Sequence, residues 1–96
     1  MEETIKVLNE TEYKKLTSNM KITEYEQFFD GNVIYTFIKA QKGDEEIFFI
    51  KLNAVKFLNK TKYLMVQEDQ IKMLNETRQR NPEDFSMTMY HYLFED

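Results

Sequence analysis

The sequence contains no cysteine, and this absence excludes several kinds of chemistry at once. Disulfide bonds, thiolate metal sites and cysteine nucleophiles all require that residue. Histidine is also nearly absent, since His91 is the only one. A metal site built on it would have only Asp84 and Glu95 beside it on one helical stripe, which is a thin ligand set. We therefore expect no metal and no cofactor.

Glycine and proline are scarce, with two glycines and one proline in 96 residues. Gly31 and Gly43 are too far apart to form a glycine-rich phosphate-binding loop. Neither Ser18 nor Ser86 stands in the G-x-S-x-G pattern of a nucleophile elbow. Long flexible linkers are also unexpected with so little glycine and proline. The sequence therefore predicts a single domain over residues 1–96, without enzymatic activity.

Long apolar runs are missing as well. A membrane-spanning helix needs roughly 20 consecutive apolar residues, and no segment approaches that length. The first ten residues are acidic, unlike a signal peptide or a transit peptide. The expected location is therefore the cytoplasm, without membrane association.

The middle of the chain has the pattern of an antiparallel β-meander. Residues 20–29 are rich in β-branched and aromatic side chains, and similar runs follow at 33–41 and 46–52. Glycine-containing turns separate these three runs. A further turn at 59–62 and a last strand at 63–67 are predicted to follow.

The start of the chain predicts a strand that leads into a capped helix. Asn9 and Glu12 have the spacing of a capping box, in which each residue's side chain bonds the backbone of the other. This spacing predicts a strand over residues 4–8 and a helix over residues 10–18.

Two further helices are predicted in the C-terminal third. The acidic pair Glu68 and Asp69 favours a helix start. That helix should end near Asn81, because Pro82 restricts the residue before it. Asn81 and Pro82 are in turn typical of a new helix start. The spacing of polar residues favours a helix after Pro82, although a strand stays open. The apolar stripe of this helix predicts that it is either largely buried or meets a partner. One form of the second alternative is a homodimer that packs helix on helix through Phe85, Met89, Tyr92 and Leu93.

Taken together, these patterns predict the α+β fold class. The expected architecture is an antiparallel meander of about four to five strands, with a short N-terminal helix and two C-terminal helices.

Three segments of the chain read almost alike: IKVLNET at 5–11, VKFLNKT at 55–61 and IKMLNET at 71–77. A repeat architecture needs one fixed period, and these starts follow none. They are also predicted in different contexts: strand into helix, strand into turn, and helix interior. We interpret them as a product of a composition rich in lysine and asparagine, although an ancient duplication stays open.

The acidic and aromatic composition indicates a protein-binding role. Net charge is -4 and aromatic residues make up 15% of the chain, and Tyr, Phe and Met are enriched at interfaces. Small, acidic, cysteine-free chains of this kind are typical of stoichiometric inhibitors, immunity-like proteins and phage accessory or anti-defence proteins. We predict a non-enzymatic inhibitor or regulator of another protein, such as a host or defence factor, acting by surface occlusion or acidic mimicry. The predicted partner-binding residues are Glu24, Glu26, Asp30, Asp44, Glu45 and Glu46.

An alternative is a nucleic-acid-binding accessory protein. Basic residues outnumber acidic ones over residues 31–67 and alternate there with aromatic residues. Cationic and aromatic side chains on a sheet can hold a single strand by phosphate contact and base stacking. Under this alternative the nucleic-acid-binding residues are Lys39, Lys51, Lys56, Lys60 and Lys62.

Overall fold

A computed structural model describes residues 5–30, 32–54 and 60–94. The described elements confirm the predicted α+β class, with five antiparallel strands and three helices. In chain order they are β1 (Lys6–Leu8), α1 (Glu10–Leu16), β2 (Lys21–Asp30), β3 (Val33–Lys42), β4 (Glu45–Ala54), β5 (Lys60–Val66), α2 (Glu68–Arg80) and α3 (Pro82–Phe94).

The strands form one sheet in the order β1-β5-β4-β3-β2. Strands β2 to β5 are a meander, as predicted, and the turn between β3 and β4 has Gly43 at a φ of +62°, a conformation that glycine adopts readily. Strand β1 returns to pair with β5, where Leu8 lies opposite Tyr63. The short strand β1 therefore forms one edge of the sheet, and the ten-residue strand β2 forms the other.

Strand β2 contains a β-bulge at Tyr25. Glu24 lies opposite Ile38 and Glu26 lies opposite Phe37, so Tyr25 is an extra residue with no counterpart on β3. An extra residue shifts the alternation of side chains along the rest of the strand. Two residues on opposite sides of the bulge therefore share a face when their residue numbers differ by an odd number.

Helices α2 and α3 cover one face of the sheet, called here the α2/α3 face. Its core joins residues of β3, β4 and β5 to one side of α3, and Phe85, Met89 and Leu93 are each 2% exposed or less. Burying a side chain of this size contributes roughly 1.5–3 kcal/mol. The prediction of a helix after Pro82 is therefore confirmed, and its apolar stripe faces the sheet.

Helix α1 covers part of the opposite face, called here the α1 face. The ring of Tyr13 stacks on Tyr63, with a centroid distance of 3.8 Å, and meets Phe49 edge-on at 5.0 Å. The predicted capping box holds this helix. The Asn9 N–H donates to Glu12 Oε1 over 2.9 Å, and the Glu12 N–H donates to Asn9 Oδ1 over 2.8 Å.

Several predicted boundaries are wrong. Strand β1 begins at Lys6, because Ile5 lies outside it, and β5 ends at Val66, before Gln67. Helix α1 ends at Leu16 and not at residue 18, and Thr17 follows as its C-cap. The predicted turn at 59–62 is also wrong over its described residues, since β5 begins at Lys60. Strand β4 extends to Ala54 and pairs there with Lys60, so the ladder continues where local propensity indicated a turn. Residue 59 lies outside the described residues.

The near-identical heptads occupy different secondary structures. The first copy includes strand β1 and the start of α1, whereas the third lies inside α2. In the second copy, residues 55–59 lie outside the described residues and residues 60–61 belong to β5. The first and third contexts are those that the sequence predicted.

Candidate functional site

A groove opens on the α2/α3 face between helix α2 and the edge strand β2. Its volume is about 450 Å³. Phe37 and Ile71 are buried at its base, and Phe48 is partly buried beside them. Charged and polar side chains stand around this apolar base. The α2–β2 groove is lined by Thr23, Tyr25, Glu26, Phe37, Lys39, Glu46, Phe48, Glu68, Ile71, Lys72 and Asn75.

The strand register explains the apolar base of the groove. Phe48 of β4 lies directly opposite Lys39 of β3, so both side chains project from the same face as Phe37, two residues earlier on β3. Helix α2 begins immediately after β5 and brings Ile71 over this surface. The side chain of Gln70 accepts a hydrogen bond from the backbone N–H of Gln67 over 2.7 Å, which secures the helix start.

Two ion pairs lie at the rim of the groove. Lys39 Nζ is 3.8 Å from Glu46 Oε2, and Arg78 Nη2 is 3.7 Å from Glu26 Oε2. The side chains are partly exposed, so such pairs add little stability. Because of these two ion pairs, two acidic residues at the rim, Glu26 and Glu46, already have a basic neighbour within the chain.

Tyr25 forms the outer wall of the groove and is 45% exposed. Its ring meets Phe37 at an angle of 61°, with a centroid distance of 6.1 Å. Partial burial, and then the carboxylates of Glu26 and Glu68, raise the pKa of Tyr25. A tyrosine phenol is protonated at neutral pH even at its ordinary pKa of 10.0, so Tyr25 can donate a hydrogen bond to a bound partner.

The six acidic residues predicted to bind a partner do not share one surface. Glu26 and Glu46 line the groove. Glu24 lies opposite Ile38, so it belongs to the α1 face. Asp44 is exposed in the turn between β3 and β4, and Glu45 is exposed at the start of β4.

Asp30 lies at the other end of the sheet, where β2 ends. Its carboxylate accepts hydrogen bonds from the hydroxyl of Tyr35, over 3.4 Å, and from the hydroxyl of Ser86. These contacts connect strand β2 to β3 and to helix α3. Asp30 therefore has a structural role inside the chain, apart from any role in binding.

The predicted nucleic-acid-binding lysines are also divided. Lys39 lines the groove, and Lys60 Nζ lies 5.4 Å from the centroid of the Phe94 ring near the end of α3. Lys62 lies opposite Leu52, on the α2/α3 face. Lys51 lies on the α1 face, where its Nζ is 5.9 Å from the Tyr63 ring centroid. Lys56 lies outside the described residues.

The predicted self-association residues are largely inside the monomer. Phe85, Met89 and Leu93 are buried in the core, and Tyr92 is partly buried. The exposed apolar residues of α3 are Met87, at 72%, and Phe94, at 45%. Self-association stays a prediction, but the three buried side chains do not form a surface on which a second helix could pack.

Sequence reasoning singled out Glu26, Lys39 and Glu46 but missed Tyr25 and Lys72 as residues of the groove. The bulge at Tyr25 has no glycine to mark it, and Ile71 and Lys72 are separated from β2 by more than 40 positions in the chain. The predicted helix start near Glu68 gave one signal, because it placed a charged helix terminus after the last strand. The proximity of α2 to β2 is a tertiary relationship.

In the described part of the chain, no three His, Cys, Asp or Glu side chains lie close enough together to hold a metal ion. None of the helices described is both long and apolar enough to cross a membrane. Comparison of the chain with protein-family models, with curated proteins and with solved structures gave no match. Function is therefore inferred from the surface of the chain itself.

Proposed function

We propose that this chain is a non-enzymatic protein-binding module that inhibits or regulates another protein by occupying part of its surface. The observation that supports this role is the α2–β2 groove, where the partly buried Phe48 lies on the same apolar base as buried Phe37 and Ile71, beside the half-exposed ring of Tyr25. Aromatic side chains that remain accessible next to an apolar pocket are typical anchors of protein interfaces.

The groove has the features needed to receive an apolar side chain of a partner. Such a side chain would pack on Phe48 and on the ring of Tyr25. Each Å² of apolar surface removed from water contributes roughly 25 cal/mol to the free energy of transfer. The hydroxyl of Tyr25 would donate to a backbone carbonyl of the same segment. Glu68 and Lys72 at the rim would give polar contacts that orient the segment.

The distribution of acidic residues favours occlusion over acidic mimicry. A mimic of nucleic acid presents many carboxylates on one surface to a basic cleft. Here Glu24 lies on the α1 face, whereas Glu26 and Glu46 each have a basic neighbour. We therefore propose that the partner is held mainly by apolar contact in the groove.

The test is affinity capture from a cell lysate with quantitative mass spectrometry, using three baits. The wild-type chain is compared with Tyr25→Ala and with Phe94→Ala, because Tyr25 and Phe94 are equally exposed at 45%. We expect one captured protein to be retained equally by wild type and by Phe94→Ala. The amount retained by Tyr25→Ala should be at least tenfold lower, as expected for the loss of an interface anchor. A second groove variant, Glu68→Lys, should also reduce retention. Circular dichroism confirms that each bait is folded.

Two results would contradict the proposal. One is a captured protein whose retention is the same for wild type and both groove variants. The other is salt-dependent retention of the chain on single-stranded DNA that Lys51→Glu and Lys60→Glu abolish, which would support the nucleic-acid alternative.

A further inference from the structure

We propose that two copies of this chain pair antiparallel along strand β2 and join their sheets into one. Strand β2 has ten residues, and no strand in the described part of the chain pairs with its outer side. The opposite edge, β1, has only three residues. A long open edge is a template for pairing with another strand, and β2 exposes apolar Ile22 and Phe29 beside it, at 39% and 72%.

The β-bulge makes β2 complementary to itself. Ile22 lies opposite Ala40 and Phe29 lies opposite Ile34, and these two positions of β3 are six residues apart on one face. Ile22 and Phe29 therefore project from the same face, although a regular strand would send them to opposite faces. By the same reasoning, Lys21 and Asp30 both project from the α2/α3 face.

One antiparallel register matches both pairs across a twofold axis. In this register Lys21 faces Asp30 of the second copy, and Ile22 faces Phe29 of the second copy. Each pair occurs twice because the axis repeats it. Opposite charges and apolar residues placed directly across two strands both stabilise the pairing. Charge complementarity and apolar contact thus select a second copy of this chain as the occupant of the edge.

The bulge residue Tyr25 is left out of the pairing in this register. Glu26 therefore lies on the axis and faces its own copy. Two like charges directly opposite would oppose the pairing. In each copy, however, the guanidinium of Arg78 lies 3.7 Å from the Glu26 carboxylate. The charge at the axis is therefore compensated within each chain.

The pairing has a geometric consequence for the α2–β2 groove. A twofold axis perpendicular to the sheet keeps the α2/α3 faces of both copies on the same side. Because Tyr25 and Glu26 line the groove and lie next to the axis, the two grooves would open side by side. The dimer does not depend on the proposed partner binding, since it needs only the edge of β2.

The first test is the concentration dependence of mass, measured by sedimentation equilibrium on the wild-type chain. We expect a monomer–dimer equilibrium in which Lys21→Glu raises the dissociation constant by about tenfold, because two attractive pairs become repulsive. Lys15→Glu makes the same charge change at an exposed position of helix α1. It should leave the dissociation constant unchanged. A wild-type chain that stays monomeric at every concentration would overturn the proposal.

The second test uses the absence of cysteine in the natural chain to read the register. Ile22→Cys and Phe29→Cys chains are prepared separately and oxidised alone or mixed. Directly opposite residues in an antiparallel pair have Cα atoms about 4.5–5.5 Å apart, which suits a disulfide. We expect a cross-linked dimer in the mixture and none in either variant alone. Cross-linking within Ile22→Cys alone, or none in the mixture, would contradict this register. The dimer and the proposed partner binding can fail separately. A chain that does not cross-link can still bind a partner in the groove, and a Glu68→Lys chain that has lost groove binding should still cross-link.

Discussion

The guanidinium carbon of Arg78 lies 4.0 Å from the centroid of the Phe28 ring. This contact joins helix α2 to the edge strand β2. The same guanidinium donates a hydrogen bond to Asn75 Oδ1 over 3.0 Å and forms the ion pair with Glu26. One side chain thus connects helix α2 to two residues of strand β2, Glu26 and Phe28.

Replacing Arg78 should weaken the fold measurably. A cation–π contact and a partly exposed ion pair each contribute up to about 1 kcal/mol, so Arg78→Ala should lower the unfolding free energy by about 1–2 kcal/mol. Arg78→Lys should lose roughly half as much, because an ammonium keeps the charge but not the planar stacking. Urea denaturation followed by circular dichroism gives both values. Arg80→Ala, on the same helix and exposed, is the control; an equal loss there would contradict the assigned role.

The contacts of Asp30 predict non-additive effects on stability. Asp30→Ala removes the acceptor of the Tyr35 hydroxyl, whose residue is 0% exposed, and an unsatisfied buried polar group costs about 1–3 kcal/mol. Tyr35→Phe in that background removes the unsatisfied hydroxyl. The double variant should therefore be destabilised less than the sum of the two single variants. A double-mutant cycle measured in urea checks this, and strict additivity would show that the two residues are not coupled.

The capping box of α1 predicts that replacing Asn9 lowers the stability of the fold. Asn9→Ala leaves the Glu12 N–H without its side-chain acceptor and should cost about 1 kcal/mol. Asn9→Ser retains an acceptor and should cost less. Because α1 holds Tyr13 on Tyr63, thermal unfolding should be followed by near-ultraviolet dichroism of the tyrosines. Thr11→Ala, exposed in the same helix, is the matched control and should leave the midpoint unchanged or raise it slightly.

Buried tyrosines predict a loss of stability at alkaline pH. Burial, with smaller effects of Glu10 and other neighbours, raises the pKa of Tyr63 to about 12, against an ordinary value of 10.0. Burial is also the main cause that raises the pKa of Tyr13 and of Tyr35. Above pH 10 the unfolded chain releases these protons while the folded chain retains them. Stability is therefore fully present below pH 10 and falls as pH rises toward 12.

The size of this effect can be measured on one residue. A pKa of about 12 for Tyr63 in place of 10.0 corresponds to on the order of 2 kcal/mol of unfolding free energy at high pH. Urea midpoints measured from pH 8 to 11.5 should fall with a shallower slope in Tyr63→Phe than in wild type. Equal slopes in the two proteins would contradict the assignment.

Local patterns were sufficient to predict most elements of the fold. Asn9 with Glu12, and Asn81 with Pro82, mark helix starts because their caps act within one turn of chain. The turn at Gly43 needs only a residue that accepts positive φ. The prediction of a turn that includes Lys60 was wrong for the opposite reason. Whether Lys60 forms a turn or a strand depends on whether the distant strand β4 offers a pairing partner.

The candidate site was predicted only in part. Glu26 and Glu46 were expected to bind a partner and do line the groove, but Glu24 and Asp30 were assigned to the same surface and lie elsewhere. The aromatic stripe of α3 was identified from its spacing, yet spacing alone cannot distinguish a stripe that faces the sheet from one that faces a second chain.

By itself the sequence determined the α+β class, the starts of the helices and the meander, because caps, turns and side-chain periodicity act over a few residues. Only the tertiary structure decided that β1 closes one edge of the sheet and that Tyr25 forms a bulge on the other. It also decided that a groove lies between α2 and β2 and that Arg78 joins these two elements. Those features depend on contacts between residues far apart in the chain, where burial and strand register outweigh local preference.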